Sequence, residues 1–307
     1  MSLLNNELSI ENELGILSLI RKHTDIIFEL GKVRITFFVA LTTSVGYLVY
    51  SANLTWNMIL PAFGVFLLAC ASASLNHYQE RKTDALMNRT KSRPIPSGRI
   101  EPGYAVSMAA LFLFAGSFMI FFSSNITALI IGWITLLWYN AVYTPMKKKY
   151  ALAVIPGSLI GALPPVIGYT AAGGSPFNIQ IMILALFVFI WQIPHFWLLL
   201  LIFGNDYERA GFPTLVQKYS EGKLSRITFI WIVILVFASM LIPGFRLSSY
   251  LLSFILILLF GLWLLVNSSE ILSEQFGNRK LFSRTFFKIN IYVLAVILII
   301  SIDKLLH

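Results

Sequence analysis

The chain has 307 residues, of which 57% are hydrophobic and only 12% are charged, whereas about a quarter of the residues of a soluble domain are charged. This composition excludes a soluble globular protein. The single cysteine, Cys70, excludes an intrachain disulfide, a thiolate zinc site and a CxxC pair, and we interpret it as a packing residue. The net charge of +9 does not predict a nucleic-acid partner, because membrane proteins collect Lys and Arg in cytoplasmic loops.

The N-terminal segment 1–31 is mostly polar and contains Glu7, Glu11 and Glu13. It lacks the basic start and short apolar core of a cleavable signal, and its acids disfavour a mitochondrial transit peptide. We expect a cytoplasmic, interfacial segment at the membrane surface. A single membrane domain over 32–307 is expected to follow it.

Nine apolar runs are long enough to cross a bilayer as helices, which takes about 20 residues each. They cover 33–50, 54–76, 103–122, 126–144, 152–172, 177–203, 227–245, 249–267 and 286–303. The predicted fold is all-α and polytopic, with nine transmembrane helices around a central cavity. The lipid bilayer is therefore the expected surrounding of most of the chain.

Basic residues predict how these spans are oriented. If the spans alternate, 21 of the 23 Lys and Arg fall on the side of the N-terminus, and only Arg246 and Lys304 fall opposite. The positive-inside rule then places the N-terminus in the cytoplasm and the C-terminus on the other side. We expect a multi-pass protein of a bacterial-type inner (cell) membrane.

The first loop with candidate chemistry, 76–102, begins with Asn76, Glu80 and Asp84. Their i, i+4, i+8 spacing puts three oxygen ligands on one face if the helix continues, with about 6 Å between steps. Mg²⁺ is usually held by one or two carboxylates together with waters and substrate phosphates. The alternative interpretation is a solvated helix end whose charges pair locally.

Arginines follow this stripe of three residues at Arg89 and Arg93. The planar guanidinium binds phosphate oxygens through two hydrogen bonds. The Pro94 and Pro96 region ends any helix here. The loop is thus typical of a site for a magnesium diphosphate.

The second loop, 204–226, follows a span that contains Pro194 and His195 and holds Asp206. Pro194 frees a backbone carbonyl, which a membrane tolerates only where protein or a polar cavity satisfies it. An ionisable His195 within a span is a functional candidate. A simple hydrogen bond between helices is the other interpretation of His195.

The pattern NxxxExxxD with ALMNRTKSRPIPSGRI resembles the first polar motif of the intramembrane prenyltransferases of the UbiA superfamily. The pattern MxRTxxRPxPxG, and WQxPHFW followed by NDYxRAGxPxL, are similar to the heme O synthase (protoheme farnesyltransferase) branch. The superfamily pattern has aspartate where this chain has Glu80, which keeps the charge. Many sequences of the branch carry a further acid where this chain has Lys82, so the resemblance does not extend to a third carboxylate there.

This resemblance implies transfer of the farnesyl group of farnesyl diphosphate to a vinyl group of protoheme (heme b), with water addition, giving heme O. It implies two four-helix repeats plus one extra helix, Mg²⁺ as cofactor, and heme b as substrate. The implied catalytic and metal residues are Asn76, Glu80, Asp84 and Asp206, the diphosphate residues Arg34, Arg89, Arg93, Lys147 and Lys148, and the heme-facing residue His195. A downstream heme-modifying enzyme or terminal oxidase assembly is the further expected partner.

Three other functions fit parts of the pattern. A prenyltransferase for an aromatic quinone precursor or a chlorin would be expected to have an aspartate pair after span six, which is absent from this sequence. An ion-coupled transporter places its acids near mid-span, whereas these acids lie at span ends beside arginines. A heme-binding subunit without catalysis would need paired histidines within spans. In the sequence of the last three spans we identify no candidate catalytic or binding residue.

Overall fold

The structure, a computed structural model, describes residues 18, 21–248, 250–273 and 279–306. This part of the chain is helical without strands, and nine of its helices are long and apolar enough to cross a membrane. The spans are built on α1 (Val33–Ser51), α2 (Ile59–Asp84), α3 (Pro102–Ser123), α4 (Ile126–Leu137), α5 (Leu159–Ala171), α6 (Ile179–Arg209), α7 (Glu221–Gly244), α8 (Leu251–Ser268) and α9 (Arg279–Leu306). The span of α4 continues to Met146, and the span of α5 begins at Val154. The predicted all-α, nine-span architecture is confirmed.

Helices α2, α6, α7 and α9 extend beyond the apolar runs that predicted them, and α2 and α6 do so at the ends that carry candidate site residues. Helix α2 continues past residue 76 to Asp84, and α6 continues past residue 203 to Arg209 after a non-helical residue, Phe203. Hydropathy detects only the part of a helix that lies in lipid, whereas helical hydrogen bonding continues through polar residues. Both extensions carry candidate site residues.

Helix α4 passes into a π-helical segment, Trp138–Tyr143, and then into one more turn at Thr144–Met146. Buried Asn140 in this segment accepts from the Ser72 hydroxyl at 2.6 Å and donates to Gln79 Oε1 at 3.0 Å, both on α2. The wider turn shifts the register of the residues that follow, and such segments are frequent at functional sites. The segment fixes the end of α4 against α2.

The helices pack in a pattern that recurs after four helices. Helix α1 packs on α2, α2 on α3 and α3 on α4; likewise α5 packs on α6, α6 on α7 and α7 on α8. Helix α4 contacts α5 as α8 contacts α9, and α9 also contacts α6 and α1. Two four-helix repeats and one extra helix would produce this pattern; the repeat and the central cavity stay predictions.

Helices α1 and α5 cross with their backbones in contact. A Cβ atom added to Gly46 would overlap the Pro165 carbonyl, and one added to Gly168 would overlap the Thr43 carbonyl. Pro164 and Pro165 lie inside α5. Small residues let membrane helices approach this closely, so this crossing holds the two halves of the bundle together.

The segment before α1 is helical over 21–30 and packs on the first cytoplasmic loop. Ile26 and Leu30 are buried against Ile95, and Arg99 forms a 2.7 Å ion pair with Glu29. Most of the predicted interfacial segment lies outside the described residues. The division into 1–31 and 32–307 stays a prediction.

Cys70 is buried on α2, 3.5 Å from the Thr36 hydroxyl of α1. A Cβ on Gly31 would lie 3.1 Å from its sulfur. The interpretation of Cys70 as a packing residue is confirmed, because the thiol fills a narrow space between the start of α1 and α2.

Candidate active site

The stripe formed by Asn76, Glu80 and Asp84 lies on one face of the last turns of α2, and all three residues are buried. The side chain of Glu80 is 5% exposed and that of Asp84 is fully buried. Burying carboxylates is costly unless they are paired or coordinate a metal. Their burial disfavours the alternative of a solvated helix end.

Three cations from three different segments contact this stripe, one for each member. Lys32 Nζ, before α1, donates to Asn76 Oδ1 at 2.9 Å. Lys147 Nζ, after α4, lies 2.6 Å from Glu80 Oε1. Arg93 Nη1, in the loop after α2, donates to Asp84 Oδ2 at 2.7 Å.

The amide of Asn76 is oriented from both sides. Its oxygen accepts from Lys32, and its Nδ2 donates to the Thr144 hydroxyl at 3.4 Å, while that hydroxyl donates to the Tyr139 carbonyl at 2.9 Å. The Nδ2 of Asn76 thus faces the end of α4, and its Oδ1 faces the cations. Asn76 therefore presents an oxygen ligand beside the two carboxylates.

The electrostatic environment differs between the two lysines. Burial, with the nearby charges of Arg93 and Lys147, lowers the pKa of Lys32 to about 7, although Glu80 and Asp84 oppose the shift. Burial also acts to lower the pKa of Lys147, but its contact with Glu80 more than compensates and raises that pKa above its ordinary value. Lys147 is thus held charged by its partner.

The second loop packs onto the first at the same end of the bundle. Asp206 Oδ2 accepts from the Arg89 backbone N–H at 3.2 Å, and the Arg89 side chain donates to the Tyr207 hydroxyl at 3.3 Å. Met87 from the first loop is buried with Phe212 from the second. The structure thus brings Asp206 and Arg89 together, and Phe212 reaches Lys147, whose Nζ lies 6.0 Å from the ring centroid.

Arg34 and Lys148, which were also predicted to bind the diphosphate, are both exposed. Arg34 is exposed, and among the described residues no hydrogen bond or ion pair links it to the stripe. Lys148 is exposed and donates to the Gln79 backbone carbonyl at 3.2 Å. The structure therefore favours Lys32 over Arg34 as the cation that the start of α1 supplies, and sequence reasoning missed this role.

His195 lies in α6 and contacts Asn290 of α9, a span in which the sequence indicated no chemistry. Asn290 Nδ2 donates to the Phe286 carbonyl at 2.7 Å, so its oxygen faces His195 Nδ1 at 2.9 Å. A carbonyl oxygen only accepts, so Nδ1 carries the hydrogen and Nε2 of the neutral ring carries the lone pair. Aromatic rings of Trp191 and Phe286 flank the imidazole.

The residues present fit a divalent cation that is bound through a diphosphate. The described residues contain no group of three or more His, Cys, Asp or Glu that could hold a metal alone. They do contain two buried carboxylates and an amide oxygen, and Asp84 Oδ1 is buried without a hydrogen-bond partner in that part of the chain. One or two carboxylates with substrate phosphates and waters are the usual ligands of Mg²⁺.

Buried acids paired with basic side chains at one end of a membrane bundle indicate an intramembrane enzyme. The chain belongs to the UbiA prenyltransferase family, whose model matches residues 37–291. The chain is 32% identical to a protoheme IX farnesyltransferase from Oleidesulfovibrio alaskensis. The matched region spans 90% of this chain and 95% of that relative.

Solved structures show the same fold. A structure from work on digeranylgeranylglyceryl phosphate synthase matches 92% of this chain and 99% of its own, with a TM-score of 0.75 and 22% identity. A UbiA homolog from Archaeoglobus fulgidus bound to GPP and Mg²⁺ matches 90% of this chain and 99% of its own, with a TM-score of 0.65 and 15% identity.

Proposed function

We propose that this protein transfers the farnesyl group of farnesyl diphosphate to a vinyl group of protoheme, with addition of water, to give heme O. The observation that carries the proposal is the buried stripe of Asn76, Glu80 and Asp84 facing Lys32, Lys147 and Arg93. The name of the Oleidesulfovibrio alaskensis relative supports farnesyl and protoheme as the transferred group and its acceptor.

The reaction balances as follows. The bond between farnesyl C1 and the diphosphate oxygen breaks, and both electrons leave with the diphosphate. The vinyl group supplies the electron pair for the new carbon–carbon bond, and the positive charge moves to its inner carbon. Water adds there and loses a proton. The products are heme O, diphosphate and a proton.

The chain's own residues support the departure of the diphosphate. Asn76, Glu80, Asp84 and Asp206 would hold Mg²⁺, which would supply positive charge to the leaving oxygens. Lys32, Lys147 and Arg93 supply further positive charge on the same side. Stabilisation of charge as it develops is a large part of such catalysis, because the donors are already oriented.

The acceptor end is proposed to lie deeper in the membrane. His195 precedes Asp206 by eleven residues on α6, about 16 Å of rise if the interruption at Phe203 is ignored. A diphosphate at the membrane surface and a porphyrin beside His195 would thus approach each other along α6. This supports His195 as the heme-facing residue.

The proposed setting is a bacterial-type inner membrane, with the N-terminus and the diphosphate site on the cytoplasmic side. The distribution of Lys and Arg supports this orientation. A downstream heme-modifying enzyme or terminal oxidase assembly is the proposed recipient of the product.

Acceptor competition tests the function. Purified protein in lipid nanodiscs receives farnesyl diphosphate and Mg²⁺ with equal amounts of heme b and 4-hydroxybenzoate, and the products are separated by chromatography. We expect farnesylated heme and no prenylated benzoate. Prenylated benzoate as the main product would move the assignment to the quinone-precursor alternative.

A further inference from the structure

We propose that Lys32 and Lys147 are exchangeable counter-ions of the stripe, which leave its oxygens when a divalent cation binds and then hold the diphosphate. Arg93 stays on Asp84 and orients it. This inference rests on the proposed function for the identity of the natural ligand, but it concerns how the site is loaded and not which acceptor is used.

The three contacts are not equivalent for an incoming cation. Asp84 has two oxygens: Oδ2 accepts from Arg93, and Oδ1 is buried without a partner among the described residues. Asn76 has one ligand oxygen, and Lys32 occupies it. A cation can therefore bind Asp84 Oδ1 while Arg93 remains in place, but it reaches Asn76 only if Lys32 leaves.

Glu80 is ion-paired through one of its two oxygens. Its Oε1 lies 2.6 Å from Lys147 Nζ, and the glutamate side chain is 5% exposed. An ammonium and a divalent cation repel each other strongly at such distances. Coordination by Glu80 Oε1 therefore requires Lys147 to withdraw.

The backbone conformation of Lys32 directs its side chain toward the stripe. Its φ of 48° and ψ of 45° are left-handed, a conformation that is uncommon for residues other than glycine. The preceding Gly31 packs closely on Cys70 of α2. The start of α1 thus holds an ammonium group against Asn76 of α2.

The local charges favour an exchange over simple addition. With Lys32 protonated, three cations face two carboxylates, so the site without substrate then has one positive charge in excess. Adding a divalent cation alone would increase this excess, whereas adding it with a diphosphate gives the displaced ammonium groups new anionic partners. The resident lysines should therefore oppose metal binding alone and favour binding of the diphosphate.

The test measures the two ligands separately in nanodiscs. Mn²⁺ binding without diphosphate is followed by electron paramagnetic resonance, and pyrophosphate binding at saturating Mn²⁺ by calorimetry. For Lys32→Met we expect the affinity for Mn²⁺ to rise about tenfold and that for pyrophosphate to fall about tenfold, the size of a charged hydrogen bond. Lys147→Met should likewise raise the affinity for Mn²⁺ and lower the affinity for pyrophosphate.

Lys82→Met is the matched control. Lys82 is exposed near the same end of α2 and contacts none of the stripe residues among the described part of the chain. Both affinities should stay within about twofold, since exposed charges are screened. An equal rise in Mn²⁺ affinity in Lys82→Met would show a general field effect and overturn the exchange.

Other outcomes are equally decisive. Unchanged or weaker Mn²⁺ binding in Lys32→Met, with an unchanged melting temperature, would contradict the proposal. If the melting temperature falls, Lys32→Arg takes its place as the measured variant, with near wild-type values for both ligands expected. Opposite shifts without heme product would refute only the proposed function, whereas heme product without opposite shifts would refute only the exchange.

Discussion

Asp84 at the end of α2 and Asp206 near the end of α6 are proposed to bind the magnesium diphosphate. For Asp84→Asn and Asp206→Asn we expect the rate of heme farnesylation to fall at least about a hundredfold, because the amide keeps the shape but loses the charge that holds the metal. Initial rates are measured by chromatography of the heme product.

Glu208→Gln is the control for these substitutions. Glu208 is exposed two residues from Asp206, so its loss removes the same charge from the same helix end. Its rate should remain close to that of the unaltered protein. Comparable losses in Glu208→Gln and Asp206→Asn, or full activity of Asp84→Asn, would argue against the assigned roles.

His195 and Asn290 form a pair whose geometry places the lone pair of the neutral imidazole on Nε2, and His195 is proposed to face heme. We expect His195→Ala to shift the Soret band of bound heme b. Asn290→Leu should weaken heme binding about tenfold, since such supporting hydrogen bonds typically contribute 10- to 100-fold in metal affinity. Titration of heme b into nanodiscs, followed by absorbance, gives both values.

Asn267→Leu provides the comparison, because Asn267 is a half-buried asparagine on α8 whose side chain, among the described residues, donates only to its own helix. It should leave the spectrum unchanged. Identical spectra and affinities for the unaltered protein and His195→Ala would place the heme elsewhere.

The residue types of the site could be predicted from sequence, but not all of their orientations. The i, i+4, i+8 spacing was enough to place Asn76, Glu80 and Asp84 on one face. The choice between Lys32 and Arg34 depends on a left-handed residue before α1, and nothing in the local sequence signals that conformation. Asn290 was missed because its partner lies 95 positions away.

At the scale of elements, α1 and α5 cross with their backbones in contact at Gly46 and Gly168. Gly168→Val would push a side chain into the Thr43 carbonyl, so we expect a loss of about 3 kcal/mol or more in the free energy of unfolding, at the upper end of overpacking costs. The melting temperature in detergent is the measurement.

Gly103→Val is the matched control, because no atom lies within 4 Å of a Cβ added to Gly103 at the start of α3. A fall in melting temperature limited to Gly168→Val supports the crossing. Equal melting temperatures for the two variants would contradict it.

Element boundaries were less predictable than element number. The apolar runs ended α2 near residue 76, but the helix continues to Asp84 because α1, α4 and the first loop supply partners for its polar turns. The π-helical segment Trp138–Tyr143 was also not predicted. It depends on Asn140 finding partners on α2, which are contacts distant in sequence.

At the scale of the whole molecule, the distribution of basic residues predicts a cytoplasmic diphosphate site. In a Cys70→Ala background, Lys149→Cys, after α4, should resist a membrane-impermeant maleimide in intact spheroplasts. Phe177→Cys, before α6 and exposed, should react. The reverse pattern would invert the orientation, and reaction of both would contradict the span count.

Composition and charge were sufficient for the class of protein and the number of spans, since lipid imposes strong limits on length and hydropathy. The pairing of α1 with α5 and of α6 with α9 could not be read in this way. Lipid-facing and protein-facing sides are both apolar, so sequence periodicity carries little information about neighbours.

Product formation in water labelled with the heavy oxygen isotope tests the proposed activity most directly. Purified protein in nanodiscs is supplied with heme b, farnesyl diphosphate and Mg²⁺, and the heme product is analysed by mass spectrometry. We predict a heme that carries one farnesyl group and one heavy oxygen atom from water, formed only with the divalent cation present. A heme recovered unchanged, while another acceptor is prenylated by the same preparation, would contradict the account.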